Sequence, residues 1–359
     1  MKILRIKVNG LPLYKNVFDI SFCAVQRVHN NHLNSVFNLF GNIYVNTVEA
    51  FAGINASGKT MALKVVSFTS ILLSATPLSA EFVPQILGDG INTIFDIDFY
   101  VDGKIYHLTS EIIKEKNQDE NPKIRIISER LWVKPVTTKI NKSNLWDYDK
   151  NTPVRVRGNS DEYLPEDVSI MIAVNKQIQN KTMFVDLAVL TNFNFLLPDA
   201  VSIPTEIISL LDPTIEYISI ENVNDKVITK LKFYRQKEHI LFNPAELNVY
   251  LSSGTVKGVR VFSDATRVLK KGGYMIVDEI ENHFNRELVA SLLRLFLYKK
   301  TNPNGAVLIF STHYPELLDE LDRNDAVFIT RSNEGLTVDN LNTLLNRNDM
   351  KKSEVYQSN

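Results

Sequence analysis

The sequence predicts an α/β fold built around a phosphate-binding loop. An apolar run, Val48–Ala52, leads into a glycine-containing loop at 53–60 and then into an amphipathic helical pattern. Two further apolar runs, at 274–279 and 307–313, end in the polar sequences Asp-Glu and Ser-Thr-His. Apolar strands that alternate with helices are typical of a sheet covered by helices. The loop at 53–60, the Asp-Glu pair and the Ser-Thr-His sequence are therefore the candidates for a phosphate site.

The loop at 53–60 matches G-x-x-x-x-G-K-[ST] in the strand–loop–helix context that a P-loop requires. Gly53 and Gly58 permit backbone angles and close approaches that a Cβ would forbid. The N–H groups of the loop and of the first helical turn then converge on phosphate oxygens. Lys59 is predicted to contact the β- and γ-phosphates, and the Thr60 hydroxyl is predicted to ligate Mg²⁺. The predicted ATP-binding residues of this loop are Gly53, Asn55, Ala56, Ser57, Gly58, Lys59 and Thr60.

The two later motifs supply the catalytic and metal-binding candidates. Four apolar residues before Asp278 and Glu279 form the Walker B arrangement. Asp278 is predicted to hold Mg²⁺, and Glu279 is predicted to polarise the attacking water. His313, at the end of its strand, is suited to contact a γ-phosphate. A hydroxyl and free N–H groups at a helix start also suit an anion. The residues predicted to offer them are Ser252, Ser253 and Gly254.

Antiparallel strands are predicted around the P-loop helix. Residues 1–8 and 18–25 form one hairpin, and the alternating residues on either side of Asp102-Gly103 form another. Residues 166–196 read as helical, and two strands follow at 217–220 and 227–234. The predicted domains are an N-terminal lobe with the P-loop and hairpins at 1–142, an insertion of helices and strands at 143–235, a C-terminal lobe at 236–345 and a flexible tail at 346–359.

Composition limits the class of protein. The 359 residues are 44% hydrophobic and carry a formal net charge of −1, so there is no global electrostatic case for nucleic-acid binding. The stretch 114–142 holds eight Lys or Arg residues against four acids, which leaves a local nucleic-acid contact open. Cys23 is the single cysteine and is expected to be a buried structural thiol. Without a signal-peptide pattern or a long apolar run, the expectation is a cytoplasmic protein with no membrane partner.

The order of the motifs resembles that of ABC-type ATPase heads, the group that includes SMC, RecF and OLD proteins. The order is P-loop, Leu-Ser-x-Gly-Thr at 251–255, Asp-Glu after four apolar residues, and Ser-Thr-His. The resemblance is closer to the AAA-labelled branch near OLD, in which the P-loop is usually Gly-x-Asn-x-Ser-Gly-Lys-[ST] and Walker B continues as Asp-Glu-x-Glu. The chain keeps both patterns, the second at 278–281, but has Phe-Asn-Arg at 284–286 where Leu-His-Pro is common.

The resemblance implies a two-lobed head with a mixed central sheet, in which ATP lies between two protomers of a homodimer or a higher even-numbered oligomer. One protomer supplies the P-loop, Asp278, Glu279 and His313, and the other supplies the 252–254 segment. The family also has a glutamine after the first helix, for which Gln85 is the candidate. The segment after His313 is shorter than the Toprim nuclease domain of OLD proteins, so the resemblance implies a stand-alone ATPase.

Three biological roles remain open on this basis. The first is the switch or sensor subunit of a prokaryotic anti-phage defence (abortive infection) system, with a separate, nuclease-like effector protein. The second is a RecF-like DNA-binding repair ATPase, against which the neutral overall charge argues. The third is an ATP-bound assembly scaffold with little turnover, against which the presence of Glu279 argues. The long separation of the P-loop from residues 251–255 argues against a transporter ATPase.

Overall fold

The protein is described from a computed structural model. The described residues are 1–29, 33–78, 86–115, 123–149, 152–158, 164–178, 181–188, 201–223, 226–282, 284–345 and 351–358.

The described chain contains eighteen β-strands and eight α-helices. The strands are β1 Lys2–Asn9, β2 Phe18–Ser21, β3 Val36–Phe40, β4 Ile43–Asn46, β5 Val48–Ala52, β6 Thr93–Val101, β7 Lys104–Glu115, β8 Lys123–Pro135, β9 Arg155–Val156, β10 Phe184–Asp186, β11 Val201–Ser202, β12 Ile215–Val223, β13 Lys226–Phe233, β14 His239–Leu241, β15 Tyr274–Val277, β16 Val307–Thr312, β17 Val327–Ser332 and β18 Leu336–Asn340. The α-helices are α1 Lys59–Ser74, α2 Met171–Asn175, α3 Thr205–Leu211, α4 Leu247–Tyr250, α5 Ser253–Lys271, α6 Arg286–Leu297, α7 Leu341–Leu344 and α8 Lys352–Ser358.

The central sheet has the strand order β10-β15-β16-β5-β17-β18. Its first five strands are parallel and β18 runs antiparallel to β17, so the predicted mixed sheet is confirmed. Strand β16 lies between β5 and β15. Because the carboxyl ends of parallel strands share one edge, the P-loop, the Asp-Glu pair and the Ser-Thr-His sequence all emerge at the same edge of this sheet.

The outer sheet, with the order β2-β1-β6-β7-β8-β9, is antiparallel throughout. It contains both predicted hairpins, β1–β2 and β6–β7, which are confirmed. Helix α1 packs between the outer and central sheets, and its Leu63, Val66 and Phe68 share one core with residues of both. The Phe68 ring stacks on Phe95 of β6 with 4.8 Å between centroids. This burial on two sides fixes the helix that the P-loop begins.

The other face of the central sheet is covered by α5 and α6. Phe262 of α5 and Leu292 of α6 pack in one core with Ala50 and Phe310 of the sheet. The first half of α5 also packs on the small sheet β11-β12-β13-β14, since Val256 and Val259 belong to its core. Strands β3 and β4 form a separate hairpin. Helix α5 therefore connects the small sheet to the centre of the molecule.

The prediction of helix across 166–196 is wrong for most of its described part. That part contains the five-residue α2 and strand β10, while 189–196 lies outside the described residues. Strand β10 extends the edge of the central sheet, where the Tyr274 N–H donates to the Met183 carbonyl and the Leu187 N–H donates to the Ile276 carbonyl, each at 2.8 Å. Apolar periodicity is ambiguous over so short a run, and the available sheet edge decides the structure.

The predicted insertion at 143–235 contributes to three sheets. Strand β9 joins the outer sheet, β10 joins the central sheet, and β11 to β13 belong to the small sheet. Within the predicted flexible tail, residues 352–358 instead form α8, where the Ser353 N–H donates to Asp319 at 3.2 Å and Tyr356 packs on the core. The polar composition of the tail does not predict these long-range contacts. No helix in the part of the chain described here is long and apolar enough to cross a membrane.

Candidate functional site

The P-loop has the geometry that its two glycines predict. A Cβ on Gly53 would lie 2.2 Å from the Ser57 hydroxyl and 2.3 Å from the Thr330 hydroxyl, so only glycine fits there. Those two hydroxyls are themselves 2.7 Å apart. Gly58 has φ +100° at the N-terminal boundary of α1, in the region where L side chains are strained. The loop thus packs closely against β17 and turns sharply into the helix.

The Lys59 amine lies inside the loop. Its Nζ donates to the carbonyl oxygens of Gly53 at 2.8 Å and of Ile54 at 3.0 Å. Burial lowers the pKa of Lys59, while the Glu279 and Asp278 carboxylates act in the opposite direction. The ammonium group is thus surrounded by oxygen acceptors, in a position from which it could exchange carbonyl partners for phosphate oxygens.

Two predicted metal ligands are in direct contact. The Thr60 hydroxyl donates to Asp278 Oδ2 at 2.7 Å. The other oxygen, Asp278 Oδ1, accepts from the Ser311 hydroxyl, and the Ser311 oxygen accepts from the Glu279 N–H at 2.7 Å. Ser311 therefore links β16 to the end of β15. Its contact with Asp278 was not predicted, although its place in the Ser-Thr-His sequence was the available indication.

These residues fit a magnesium ion completed by phosphate. Hydroxyl and carboxylate oxygens are ligands that Mg²⁺ prefers, and it is commonly bound by one or two carboxylates together with substrate phosphates and water. Among the residues that the structure describes, no cluster of three or more His, Cys, Asp or Glu side chains could hold a metal on its own. Thr60 and Asp278 are thus an incomplete ligand pair that a bound nucleotide would complete.

The Glu279 carboxylate is held from two sides. Its Oε1 lies 2.9 Å from His313 Nε2, and its Oε2 accepts from Asn282 Nδ2 at 3.1 Å. The backbone of Glu279 has φ +47°, which is uncommon for a residue with a Cβ and is concentrated at functional sites. Glu281 accepts from the backbone N–H of His313 at 2.7 Å, so the ends of β15 and β16 are joined a second time.

A pocket of about 860 Å³ lies over the P-loop. Its predicted members are loop residues 55–60, Glu279 and His313. Gly53 and Asp278 lie directly behind this lining through the Lys59 and Thr60 hydrogen bonds. The sequence did not predict the remaining wall. The unpredicted lining residues are Leu13, Met61, Ser332, Gly335 and Leu336.

The unpredicted wall is built by contacts between the two ends of the chain. The Leu336 N–H donates to the Leu13 carbonyl at 2.7 Å, and the Lys15 N–H donates to the Leu336 carbonyl at 3.1 Å. A Cβ on Gly58 would lie 2.9 Å from the Leu336 side chain, so the start of β18 touches the P-loop. No local motif marks these residues, because their position depends on pairing across more than 300 residues of sequence.

The remaining predicted residues do not join this pocket. Ser252, Ser253 and Gly254 are not among its lining residues. They form the start of α5, where the Ser252 side chain accepts from the Thr255 N–H at 3.1 Å, and both serines are exposed. Gln85 lies outside the described residues.

Lys257, one turn into α5, donates to the Asn282 carbonyl at 3.0 Å, and burial lowers its pKa to about 8.

Comparison with known proteins gives one family. A family model described as "AAA domain, putative AbiEii toxin, Type IV TA system" matches residues 50–319 of this chain. The matched range contains the P-loop, the start of α5, the Asp-Glu pair and His313. The chain matches no curated protein.

Proposed function

The chain belongs to the AAA-domain family described as "AAA domain, putative AbiEii toxin, Type IV TA system", and from this membership we propose that it hydrolyses ATP as the switch subunit of a prokaryotic defence system. The observation that carries the proposal is the 2.7 Å contact between Thr60 and Asp278 beside the Glu279 carboxylate. It unites a phosphate-binding loop, a metal-ligand pair and a candidate general base at one pocket.

The groups of the pocket have separate roles in phosphate binding, metal binding and proton transfer. The loop N–H groups and Lys59 bind the β- and γ-phosphates of ATP. Thr60 and Asp278 would hold Mg²⁺, which neutralises charge on phosphate oxygens when it is bound. Glu279, oriented by His313 and Asn282, orients a water molecule for attack on the γ-phosphorus and accepts its proton. Water forms the new P–O bond as the bond to ADP breaks.

We further propose that ATP joins two copies of the chain. The exposed serines 252 and 253 stand at the start of α5 outside the pocket lining, so they are available to a second copy's γ-phosphate. A ligand that contacts two protomers stabilises their association by its differential affinity for the dimer. Binding would then close a homodimer and hydrolysis would release it, which gives the molecule a timed switch.

We propose that the ATPase controls a separate, nuclease-like effector protein. The family description names a toxin and a type IV TA system, and this supports a role in abortive infection. The pocket contains the groups for nucleotide turnover, whereas the effector chemistry would be supplied by the partner protein. The ATP-dependent change in association is the signal that such an effector would detect.

The variant Glu279→Gln tests the proposed ATP-joined dimer. It keeps the phosphate and metal contacts but removes the base, so ATP with Mg²⁺ should convert it from monomer to dimer in sedimentation velocity. Ser252→Arg in the same background should bind ATP and remain monomeric, because the added side chain blocks the second protomer. Ser143→Arg, at an exposed serine on the outer-sheet side, is the matched control and should dimerise. A monomeric Glu279→Gln protein at saturating ATP would contradict the dimer proposal.

A further inference from the structure

A second polar pocket lies on the face of the outer sheet that points away from α1. It has a volume of about 660 Å³ and is called the outer groove here. Strand register places its residues in rows across β1, β6, β7 and β8. One row is Arg5, Asp98, His107 and Trp132, and the next is Lys7, Asp96, Thr109 and Arg130. Trp146 and Tyr148, from the segment after β8, close one end.

The outer groove is more organised than an ordinary solvated sheet face. Asp98 is 5% exposed and Trp132 is 8% exposed, although both belong to the outward-facing rows. His107 Nδ1 lies 2.9 Å from Asp98 Oδ1, which fixes the ring. The His107 ring stacks on Tyr148 with 5.1 Å between centroids and lies 5.4 Å from Trp132. A positioned aromatic surface therefore lines a cavity of the size that small ligands occupy.

The carboxylates of the outer groove already have partners inside the protein. Asp98 bonds to His107, and Asp96 accepts from the Thr109 hydroxyl at 2.7 Å. Glu111 accepts from the Ser128 hydroxyl at 3.0 Å and from Asn92 at 2.8 Å. These contacts satisfy acceptor groups of the three carboxylates, which balance the formal charge of the three cations in the lining, Arg5, Lys7 and Arg130.

Three donor groups of the outer groove, by contrast, have no partner among the described residues. The indole N–H of Trp132 is buried and has no acceptor among the described residues. The exposed Lys7 and Arg130 side chains make no ion pair or hydrogen bond within the described ranges. A buried donor without a partner is costly, and it points to an acceptor that is missing from the protein itself. These three donors are therefore left for the acceptor oxygens of a ligand, whereas Arg5, the remaining cation of the lining, is already paired with Asp19.

From these unpaired donors and the aromatic side chains beside them we infer that the outer groove binds a nucleotide unit, with its base stacked on the aromatic side chains and its phosphate against Lys7 and Arg130. Aromatic side chains on antiparallel sheets stack unpaired bases, and cations beside them hold the phosphate backbone. The same chemistry is offered by a free mononucleotide and by an unpaired residue of a single strand. The inference goes beyond the proposed ATPase and does not depend on it, because the outer groove shares no residue with the P-loop pocket.

Tryptophan fluorescence reports directly on this site. The sequence has two tryptophans, Trp132 and Trp146, and both line the outer groove. The experiment uses Lys59→Ala protein, so that binding at the P-loop does not interfere. Adenosine 5′-monophosphate, a short oligothymidylate, a duplex of equal length and inorganic phosphate are titrated separately. Saturable quenching by the mononucleotide identifies a free nucleotide, and quenching by the oligothymidylate alone identifies a single strand; each result supports the inference.

Charge reversal separates binding in the outer groove from non-specific attraction. The double variant Lys7→Glu with Arg130→Glu should bind the ligand that quenches tryptophan fluorescence with an affinity lower by about tenfold or more at moderate salt. Lys299→Glu with Lys300→Glu, an equal change at exposed residues after α6, is the matched control and should leave affinity close to that of the parent. Absence of saturable quenching with every probe would overturn the inference. Equal weakening by the two double variants would overturn it as well.

Discussion

At the scale of single residues, the site depends on groups held in unusual positions. Glu279 has a left-handed backbone and a carboxylate fixed by His313 and Asn282. Lys257 lies behind this turn, with its amine on the Asn282 carbonyl and 5.8 Å from the centre of the Phe284 ring. The turn after β15 is thus supported by a lysine whose charge is disfavoured by burial.

Lys257 gives a pH-dependent prediction for stability. Its pKa is lowered from 10.5 to about 8 in the folded protein, chiefly by burial, so the unfolded chain binds more protons between these values. Stability rises with pH wherever the unfolded state binds more protons. The difference in free energy of unfolding between wild type and Lys257→Met should therefore shift in favour of wild type as pH increases from 8 to 10. Urea denaturation of both proteins across this range measures it, and a constant difference would contradict the burial of the charge.

Residues with a local motif could be predicted from the sequence, and residues without one could not. Lys59, Thr60 and Asp278 were predicted because phosphate and metal chemistry restricts their types and spacing, and the structure brings Thr60 and Asp278 into contact. Leu13 and Leu336 were missed because nothing near either residue shows that the two ends of the chain pair beside the P-loop. Ser311 is intermediate: its sequence context was noted, but its hydrogen bond to Asp278 requires that β16 lie next to β15.

At the scale of elements, the P-loop is fixed in shape because it packs against β17 and leads into α1. The Ser57 and Thr330 hydroxyls meet directly over Gly53 and leave no room for a side chain. The loop shape is therefore set by a strand that lies about 270 residues later in the chain. Element boundaries such as Val48–Ala52 were predicted correctly, whereas this contact with β17 was not.

The variant Gly53→Ala tests the packing of the loop. Its Cβ would overlap the two hydroxyls, so the loop must shift; we expect a loss of about 1–3 kcal/mol in stability and loss of ATP binding. Gly41→Ala is the control, since no atom lies within 4 Å of a Cβ there although φ is +49°. It should lose about 1 kcal/mol and keep its ATP affinity. Unchanged ATP affinity in Gly53→Ala, measured by calorimetry, would show that the loop is not so tightly constrained.

At the scale of the whole molecule, one helix is held between two sheets, and its N-terminus lies at the edge where the five parallel strands of the central sheet end. The sequence predicted the hairpins of the outer sheet because alternation and turn residues specify them locally. It did not predict that residues 184–186 extend the central sheet or that 143–235 divides among three sheets. Those outcomes depend on free sheet edges, which exist only once the rest of the fold has formed.

We propose that this edge of the molecule hydrolyses ATP with Glu279 as the base. The most direct measurement compares phosphate release and ATP affinity for wild type and Glu279→Gln in the presence of Mg²⁺. We expect the variant to bind ATP as tightly as wild type and to hydrolyse it about 10²–10⁴-fold more slowly. Phosphate release at the wild-type rate by Glu279→Gln would contradict it.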